Sequence, residues 1–539
     1  MKRSSVSTRR LESWKEIAAY LDRDTSTVRR WEKSEGMPIH RHVHEKQATV
    51  YAYRSELDAW LESRRRRDSP DRAVKEPREK KEVWLAVLPL EDLTRGRSQE
   101  YWVHGMHDAL LKDLSKISAL KVISRRSVMR YEGATQSIPQ IARELGVDVV
   151  VEGSVLRVDG RVRVSVQLID GASDEHLWAD SYERDLEDIL MLQTELARTI
   201  ASEIHVALTP EDRKRLDETR RVSVDAYEAY LKGRFHWYKL SRDHLDTALE
   251  YFRLALKRDR RYALAHVGIA DVWFSRGEFG LTPPPEAFTR MKASVLDALA
   301  LDDTLAEAHA TLGNVRFVHD WDFNIAENAF RRAIEFNPNY ADGHFFYSDF
   351  LISMRRFEQA ETELDRAMQL DPLNALYRCF RGWHLLYRER CDEAIVELRR
   401  ASKSEPNFPA VQQGLWGAHF IQGTYDAALD AARSFFGLIG KPEIAAILAP
   451  GGTEVEYRNA MSAAAMLLAS QAAELYVGAV RVARLYAHAG ENENALAWLE
   501  RAFDEREPAL VHVAVSWDWR ALRAQPRYQG MLRRLRIDP

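Results

Sequence analysis

A chain of 539 residues exceeds what a single hydrophobic core accommodates, so two to four domains are expected. With 45% hydrophobic and 30% charged residues the composition is that of a folded globular protein, which excludes collagen-like and largely disordered classes. The net charge of −4 hides an asymmetry, because residues 1–67 carry 16 Lys+Arg against 10 Asp+Glu, and this basic head precedes an acidic body.

Only Cys379 and Cys391 are present, too few for a disulfide scaffold and in keeping with a reducing compartment. The basic Met1–Arg10 segment leads into no apolar stretch, and no run of about 18 uncharged apolar residues follows, so neither a signal peptide nor a membrane span is expected. A cytoplasmic location is the resulting expectation.

The head, residues 8–63, reads as two short helices, a hairpin and a third helix. Ser13-Trp14-Lys15-Glu16 has capping-box form, and Trp14, Ile17, Ala18 and Leu21 share one helical face. A second helix capped by Asp24 or Thr25 turns Val28 and Trp31 inward and Ser26, Thr27, Arg29, Arg30 and Lys33 outward. Gly36 to Arg41, a polar tip and Thr49–Tyr53 form the hairpin, and Leu57, Trp60 and Leu61 supply a face of the third helix. His40, His42 and His44 alternate along the hairpin, but no cysteine accompanies them, so no metal site is assigned.

The segment Thr27-Val28-Arg29-Arg30-Trp31-Glu32, followed by Gly36 and Pro38, resembles the MerR/excisionase family of winged helix-turn-helix modules. The resemblance implies double-stranded DNA as partner, met by Thr25, Ser26, Thr27, Arg29, Arg30 and Lys33 on the second helix and by Arg41, His42 and Lys46 on the wing. Such regulators usually continue into a dimerising helix. Here Arg64-Arg65-Arg66-Arg67 opens a charged linker over 64–82, so a homodimer would have to form through another part of the chain.

Order resumes at Val83–Leu88, an apolar run suited to a buried strand. A helix over Glu100–Leu114, a strand at Lys121–Ile123, a helix over Ile138–Leu145 and a strand over Val147–Val155 follow. Asp159-Gly160, set between two alternating runs, predicts a tight hairpin that buries Val162, Val164, Val166 and Leu168. A strand near His176–Tyr182 and a helix from Leu186 to Leu208 complete an α/β unit over 83–215, with Trp102 and Trp178 read as core.

The motifs Ala86-Val87-Leu88-Pro89-Leu90, Glu100-Tyr101-Trp102, Glu152-Gly153-Ser154-Val155 and His176-Leu177-Trp178-Ala179 resemble the TolB amino-terminal-type domain. That resemblance implies a fold and a domain context rather than an activity. The chain departs from the family at Leu90-Glu91-Asp92 and at Val103-His104-Gly105-Met106.

Beyond residue 224 a period of 34 dominates. Ala326, Ala360, Ala394 and Ala428 recur, with Phe330, Leu364 and Leu398 four residues on, Ala333, Ala367 and Ala401 seven on, and Pro338, Pro372 and Pro406 twelve on. Small, large, small and proline in that order describe helical hairpins in which small residues permit close crossing and the large one fills the groove. The pattern resembles the tetratricopeptide repeat and implies an all-α solenoid over 224–539, of six to eight hairpins, interrupted near 437–455. One copy, around Ala298–His309, is displaced by one residue from the frame.

A solenoid of this kind implies an unidentified protein or peptide partner on the face made by the first helices, for which Asn314, Arg316, Tyr347, Arg378 and Arg381 are the candidates. No phosphate-binding glycine loop, zinc-protease signature, nucleophile elbow or C-x-x-C occurs, so no catalytic residue, metal or cofactor is assigned. The chain therefore reads as multidomain, a small winged helix-turn-helix, an α/β middle domain and a helical-repeat solenoid, in a non-enzymatic DNA-binding transcriptional regulator. The alternative is a protein-interaction scaffold whose head does not bind DNA specifically.

Overall fold

A computed structural model describes residues 10–21, 25, 28–29, 32, 37–42, 49–54, 56–57, 60, 82–94, 100–158, 160–217, 222–278, 281–448, 451–472 and 477–537. These fall into two compact units, Met1–Lys81 and Glu82–Pro539. The expected linker over 64–82 lies, but for its last residue, outside the described residues.

In the first unit, β1 (Arg10–Leu11), α1 (Trp14–Tyr20), β2 (His40–His42) and β3 (Thr49–Tyr53) are complete elements. Thr25, Val28, Arg29, Glu32, Arg54, Glu56, Leu57 and Trp60 are also helical. The sheet order is β1-β3-β2, antiparallel throughout, so a short strand ahead of the first helix joins the expected hairpin. Ser13 caps α1 by accepting from the Glu16 amide (3.2 Å), while the Glu16 carboxylate accepts from Glu12 rather than from Ser13 (2.9 Å). Leu11, Ile17, Ala18, Val28, Met37, Ala52, Leu57 and Trp60 form the core.

The second unit begins with a mixed sheet of β4 (Val83–Val87), β5 (Glu91–Asp92), β6 (Leu120–Val122), β7 (Val149–Val158), β8 (Arg161–Asp170) and β9 (His176–Asp185). Its order is β6-β4-β7-β8-β9, with β5 beside β7. β4 runs parallel to β6 and β7, and β7-β8-β9 is an antiparallel meander. β7 and β8 pair as the expected hairpin, with Val158 opposite Arg161, and Val162, Val164, Val166 and Leu168 are fully buried, while Asp159 lies outside the described residues. They lie in one core with residues of α2 (Glu100–Ser115) and α5 (Ile189–Glu203). The short helices α3 (Arg125–Val128), α4 (Ile138–Leu145) and α6 (Pro210–Asp217) complete this part.

Six helical hairpins follow without interruption. They are α7 (Val224–Trp237) with α8 (Arg242–Arg258), α9 (Ala263–Glu278) with α10 (Pro284–Leu301) and α11 (Ala306–Val315) with α12 (Phe323–Phe336). Next come α13 (Ala341–Ser353) with α14 (Phe357–Leu370), α15 (Ala375–Tyr387) with α16 (Cys391–Ser404) and α17 (Pro409–Gln422) with α18 (Tyr425–Leu438). The expected interruption is the short α19 (Pro442–Ile447), after which α20 (Glu454–Gln471) leads to a further hairpin, α21 (Ala479–Ala489) with α22 (Asn492–Asp504). The chain closes with α23 (Pro526–Arg534).

The four frame alanines Ala326, Ala360, Ala394 and Ala428 are fully buried. The bulky residues Phe330 and Leu398 each lie over a glycine of the first helix of their hairpin. A Cβ added at Gly313 would come within 2.6 Å of Phe330, and one at Gly382 within 2.7 Å of Leu398. The displaced copy has a structural cause, because α11 ends in a π-helical turn, Arg316–Asp320, which holds one more residue per turn than an α-helix. The repeat stays in spatial phase while its sequence slips by one.

Candidate nucleic-acid interface and the inner surface of the solenoid

In the first unit, Arg29 is exposed and its guanidinium lies over the Trp14 ring (5.4 Å), which ties the second helical segment to α1. Thr25 is exposed as well. Arg41 projects from β2 and donates to Glu32 (2.6 Å), an ion pair in which Arg41 stays more than half exposed. A phosphate arriving there would compete with Glu32 for the guanidinium. His40 donates to Glu56 (2.6 Å) and stacks on Tyr51 (5.1 Å), so it acts as a strut between the β2-β3 hairpin and the helical segment that holds Glu56. His42 pairs with Thr49 in the hairpin ladder. Ser26, Thr27, Arg30, Lys33 and Lys46 lie outside the described residues.

Four of the five solenoid candidates have hydrogen-bond or ion-pair partners within the chain. Asn314 and Tyr347 are buried, and the Tyr347 hydroxyl donates to Glu327 (3.1 Å) and accepts from Arg331 (3.2 Å). Arg316 pairs with Asp320 within the π-turn (2.9 Å), Arg378 with Glu397 (3.2 Å) and Arg381 with Asp365 (2.5 Å).

Periodicity gave no sign that the chain itself covers much of the solenoid's first helices and inter-repeat loops. Along one stretch lies the α/β part. Gly105 of α2 meets Leu231 of α7 so closely that an added Cβ would stand 2.6 Å from it, which accounts for a glycine inside a 16-residue helix. Tyr101 donates to Glu228 (2.5 Å), Lys112 pairs with Glu307 (2.7 Å), and Tyr238 donates to Asp108 (3.0 Å). The loop after α12 contributes Asn337, which donates to Ser115 Oγ (2.9 Å), and Asn339, which donates to the Ser115 and Leu120 carbonyls (2.9 Å each). The loop after α14 contributes Asp371, which accepts from Ser127 (2.6 Å), and the Leu370 carbonyl, which accepts from the Ser124 amide (2.8 Å). Asn337 and Asp371 each stand just before a frame proline, so the loops that define the repeat also bind the sheet domain.

A charged cluster sits at this junction. Arg234 pairs with Asp271 (3.0 Å) and its guanidinium also donates to Tyr238 (2.6 Å). Burial pushes the Asp271 carboxyl up to about 7 despite the arginine beside it. His107 is held down to about 4 by burial, and its Nε2–H donates to the Val87 carbonyl (2.9 Å), so it is neutral near pH 7.

Along the other stretch lies the segment 508–522. His512 meets Asp349 (2.9 Å) and stacks on Tyr387, and Arg355 donates to the Ala514 carbonyl (3.2 Å). Trp517 lies against Trp383 (5.9 Å), Tyr387 (5.4 Å) and Gly417, where an added Cβ would overlap its ring. A buried hydrogen-bond chain fixes the segment. Trp416 donates to Tyr457 (2.7 Å), Tyr457 to His488 (2.5 Å) and His488 to Asp518 (2.8 Å). Asp518 also accepts from Arg484 (2.8 Å) and Ser516 (2.7 Å). Burial lowers the His488 pKa, whereas Arg484 and His488 outweigh burial and hold the Asp518 carboxyl well below its usual range. The segment thus lies along the first helices of three successive hairpins, α13, α15 and α17.

Among the described residues no helix is long and apolar enough to cross a membrane, and no group of His, Cys, Asp and Glu is arranged to hold a metal. Residues 80–199 match the family model of the second domain of HilA/YgeH-like transcriptional regulators. A curated relative, putative adenylate cyclase 3 of Rhizobium meliloti (strain 1021), is 33% identical over 257 residues, 47% of this chain and 43% of that protein. The chain thus spans less than half the length of that relative. Among solved structures, YrrB, a TPR protein with an unusual peptide-binding site, is 20% identical with a TM-score of 0.26, over 37% of this chain and 97% of that one. A thermophilic TPR protein of Thermus thermophilus, TTC0263, is 17% identical with a TM-score of 0.29, over 35% and 95% respectively. The chain therefore carries a segment similar to the second domain of HilA/YgeH-like transcriptional regulators, joined to an array of helical hairpins.

Proposed function

We propose that the protein is a DNA-binding transcriptional regulator in which the first unit contacts DNA and the second supplies regulation through protein contacts. The observation that carries this reading is the match of residues 80–199 to a regulator's second domain, ahead of which this chain has a separate basic unit with a β-hairpin. A winged helix-turn-helix of MerR/excisionase type is the finer reading of that unit. Arg29, exposed beside Trp14, and Arg41, exposed beside Glu32, are the contacts we assign among the described residues, with Thr25 next to them. Ser26, Thr27, Arg30, Lys33, His42 and Lys46 complete the proposed surface.

For the solenoid, Arg316, Tyr347, Arg378 and Arg381 are paired within the array and Asn314 is buried, which favours partners meeting other faces of it. The cyclase-named relative is matched over 43% of its length, and we propose that the shared 257 residues are a non-catalytic module common to both.

The test is selection of bound fragments from genomic DNA at two salt concentrations, followed by titration of the recovered sequence. Phosphate contacts make affinity fall steeply with salt. Arg29→Ala should cost about 1–3 kcal/mol if the side chain reads a base. Recovery of no common sequence, or retention that survives removal of residues 1–67, would leave the scaffold reading in its place.

A further inference from the structure

The path β6-β4-β7-β8-β9 has two edges, and the fold treats them differently. At β6 the solenoid intervenes, with Asn339 donating to the Leu120 carbonyl (2.9 Å). At the other edge β9 runs for ten residues and, among the described strands, pairs with β8 alone. Leu177, Ala179, Asp180 and Ser181 are exposed there. A long open edge is a template for strand pairing, and chains usually shorten, bulge or cover such edges.

Parity settles which backbone groups face outward. The Leu186 amide donates to the Gly160 carbonyl (2.9 Å). Antiparallel ladders alternate bonded and non-bonded pairs, so Trp178, Asp180, Tyr182 and Arg184 turn their amides and carbonyls toward β8. Ala179, Ser181, Glu183 and Asp185 turn theirs away, and beyond Trp178 a register shift leaves Leu177 out of the ladder. Two local contacts agree with this assignment. The Ser181 amide donates to Asp180 Oδ1 (2.8 Å), and the Glu183 carbonyl accepts from Arg184 Nη1 (3.0 Å). The Asp180 and Arg184 side chains hold backbone groups that a neighbouring strand would take.

We propose that β9 is the surface through which two copies of this chain associate, antiparallel about a two-fold axis at Tyr182, to form one continuous sheet. The charge pattern selects that register. Axes at Asp180, Glu183 or Arg184 would oppose like charges and an axis at Ser181 would oppose no two charges, whereas the axis at Tyr182 sets Asp180 opposite Arg184 of the second copy, twice by symmetry. Ser181 then faces Glu183, and Ala179 faces Asp185, with no like charges opposed. Because the overlap about that axis is a single strand pair over Ala179–Asp185, association is of the weak, concentration-dependent kind. The proposal does not depend on whether the first unit binds DNA.

Sedimentation velocity and light scattering of the full chain from about 1 to 100 µM test it, a range that brackets micromolar dissociation constants. The expected result is a monomer–dimer equilibrium. Ser181→Pro removes an outward amide without touching the β8 ladder and should abolish the dimer. Asp180→Arg and Arg184→Asp should each weaken association about tenfold or more, and the double variant should restore it to within about threefold. Arg184 also pairs with Glu195 (3.0 Å), so Glu195→Gln, which removes only that contact, should leave the dimer unchanged. A chain monomeric throughout, or a dimer indifferent to Ser181→Pro and to both single reversals, overturns the proposal, and Asp180 and Arg184 are then guards of an edge that stays open. A double variant no better than the singles overturns the register.

Discussion

Replacing Asp518 by alanine should release the C-terminal segment from the solenoid. The carboxylate is almost fully buried and accepts from Arg484, His488 and Ser516 at 2.7–2.8 Å. Truncation leaves the Arg484 guanidinium, itself mostly buried, without its counter-ion, and the His488 N–H without an acceptor. Breaking a buried ion pair from one side costs about 3–5 kcal/mol. The Gln413 side-chain oxygen also accepts from Arg484 (2.5 Å), which places the cost at the lower end, about 3 kcal/mol. The chain comprises more than one cooperative unit, so a local observable is required. Amide hydrogen exchange over Val511–Leu522 should accelerate about 100-fold in the variant, the factor that corresponds to such a cost. Tyr457→Phe, which orphans Trp416 Nε1 and His488 Nδ1, should give a smaller acceleration over the same residues. Exchange within about threefold of the parent in Asp518→Ala would refute the argument, because the network would then contribute less than 1 kcal/mol.

Three further outcomes follow from particular residues. His384 is buried, makes no hydrogen bond through either ring nitrogen, and is held down to about 4 by burial. A folded-state pKa below the unfolded value near 6.5 means the folded chain binds fewer protons. Its stability is therefore complete above about 6.5 and falls by up to about 3 kcal/mol as the pH drops toward 4. His384→Leu should preserve stability at pH 7 and flatten thermal unfolding temperature between pH 7 and 5; an unchanged acid slope would count against it. Asn339→Ala strands two carbonyls, Ser115 at the end of α2 and Leu120 of β6, and a loss of about 2–3 kcal/mol should appear as faster exchange in Leu120–Val122, with no change there being the contrary result. Gly417→Ala drives a methyl into Trp517 and should cost about 1–3 kcal/mol in protection of Val513–Trp519, whereas Gly437→Ala, which meets nothing, should be neutral; equal behaviour of the two would contradict the packing.

What the amino-acid order determined by itself is local. The 34-residue spacing of alanine, bulky residue, alanine and proline encodes each hairpin, because the close crossing and the turn lie within one repeat length. Ser13 and the alternating valines of β8 likewise act over a few residues, and they appear in the structure where their chemistry requires. The one-residue slip before Ala333 was visible as a number, but only the π-turn at Arg316–Asp320 explains it. β1, two residues long, has no periodicity to read.

Tertiary structure decided what covers the solenoid. Asn337, Asn339 and Asp371 look like ordinary loop residues beside the repeat prolines, yet their partners lie more than 200 positions earlier in the chain. Gly105 looks like a weak point in α2 until Leu231 is placed against it. Arg316, Arg378 and Arg381 carry the composition of a binding face, and only the fold reveals the carboxylates that hold them. Local pattern specifies which side of a helix is apolar. Which distant segment covers it depends on contacts whose sequence separation leaves no period to read.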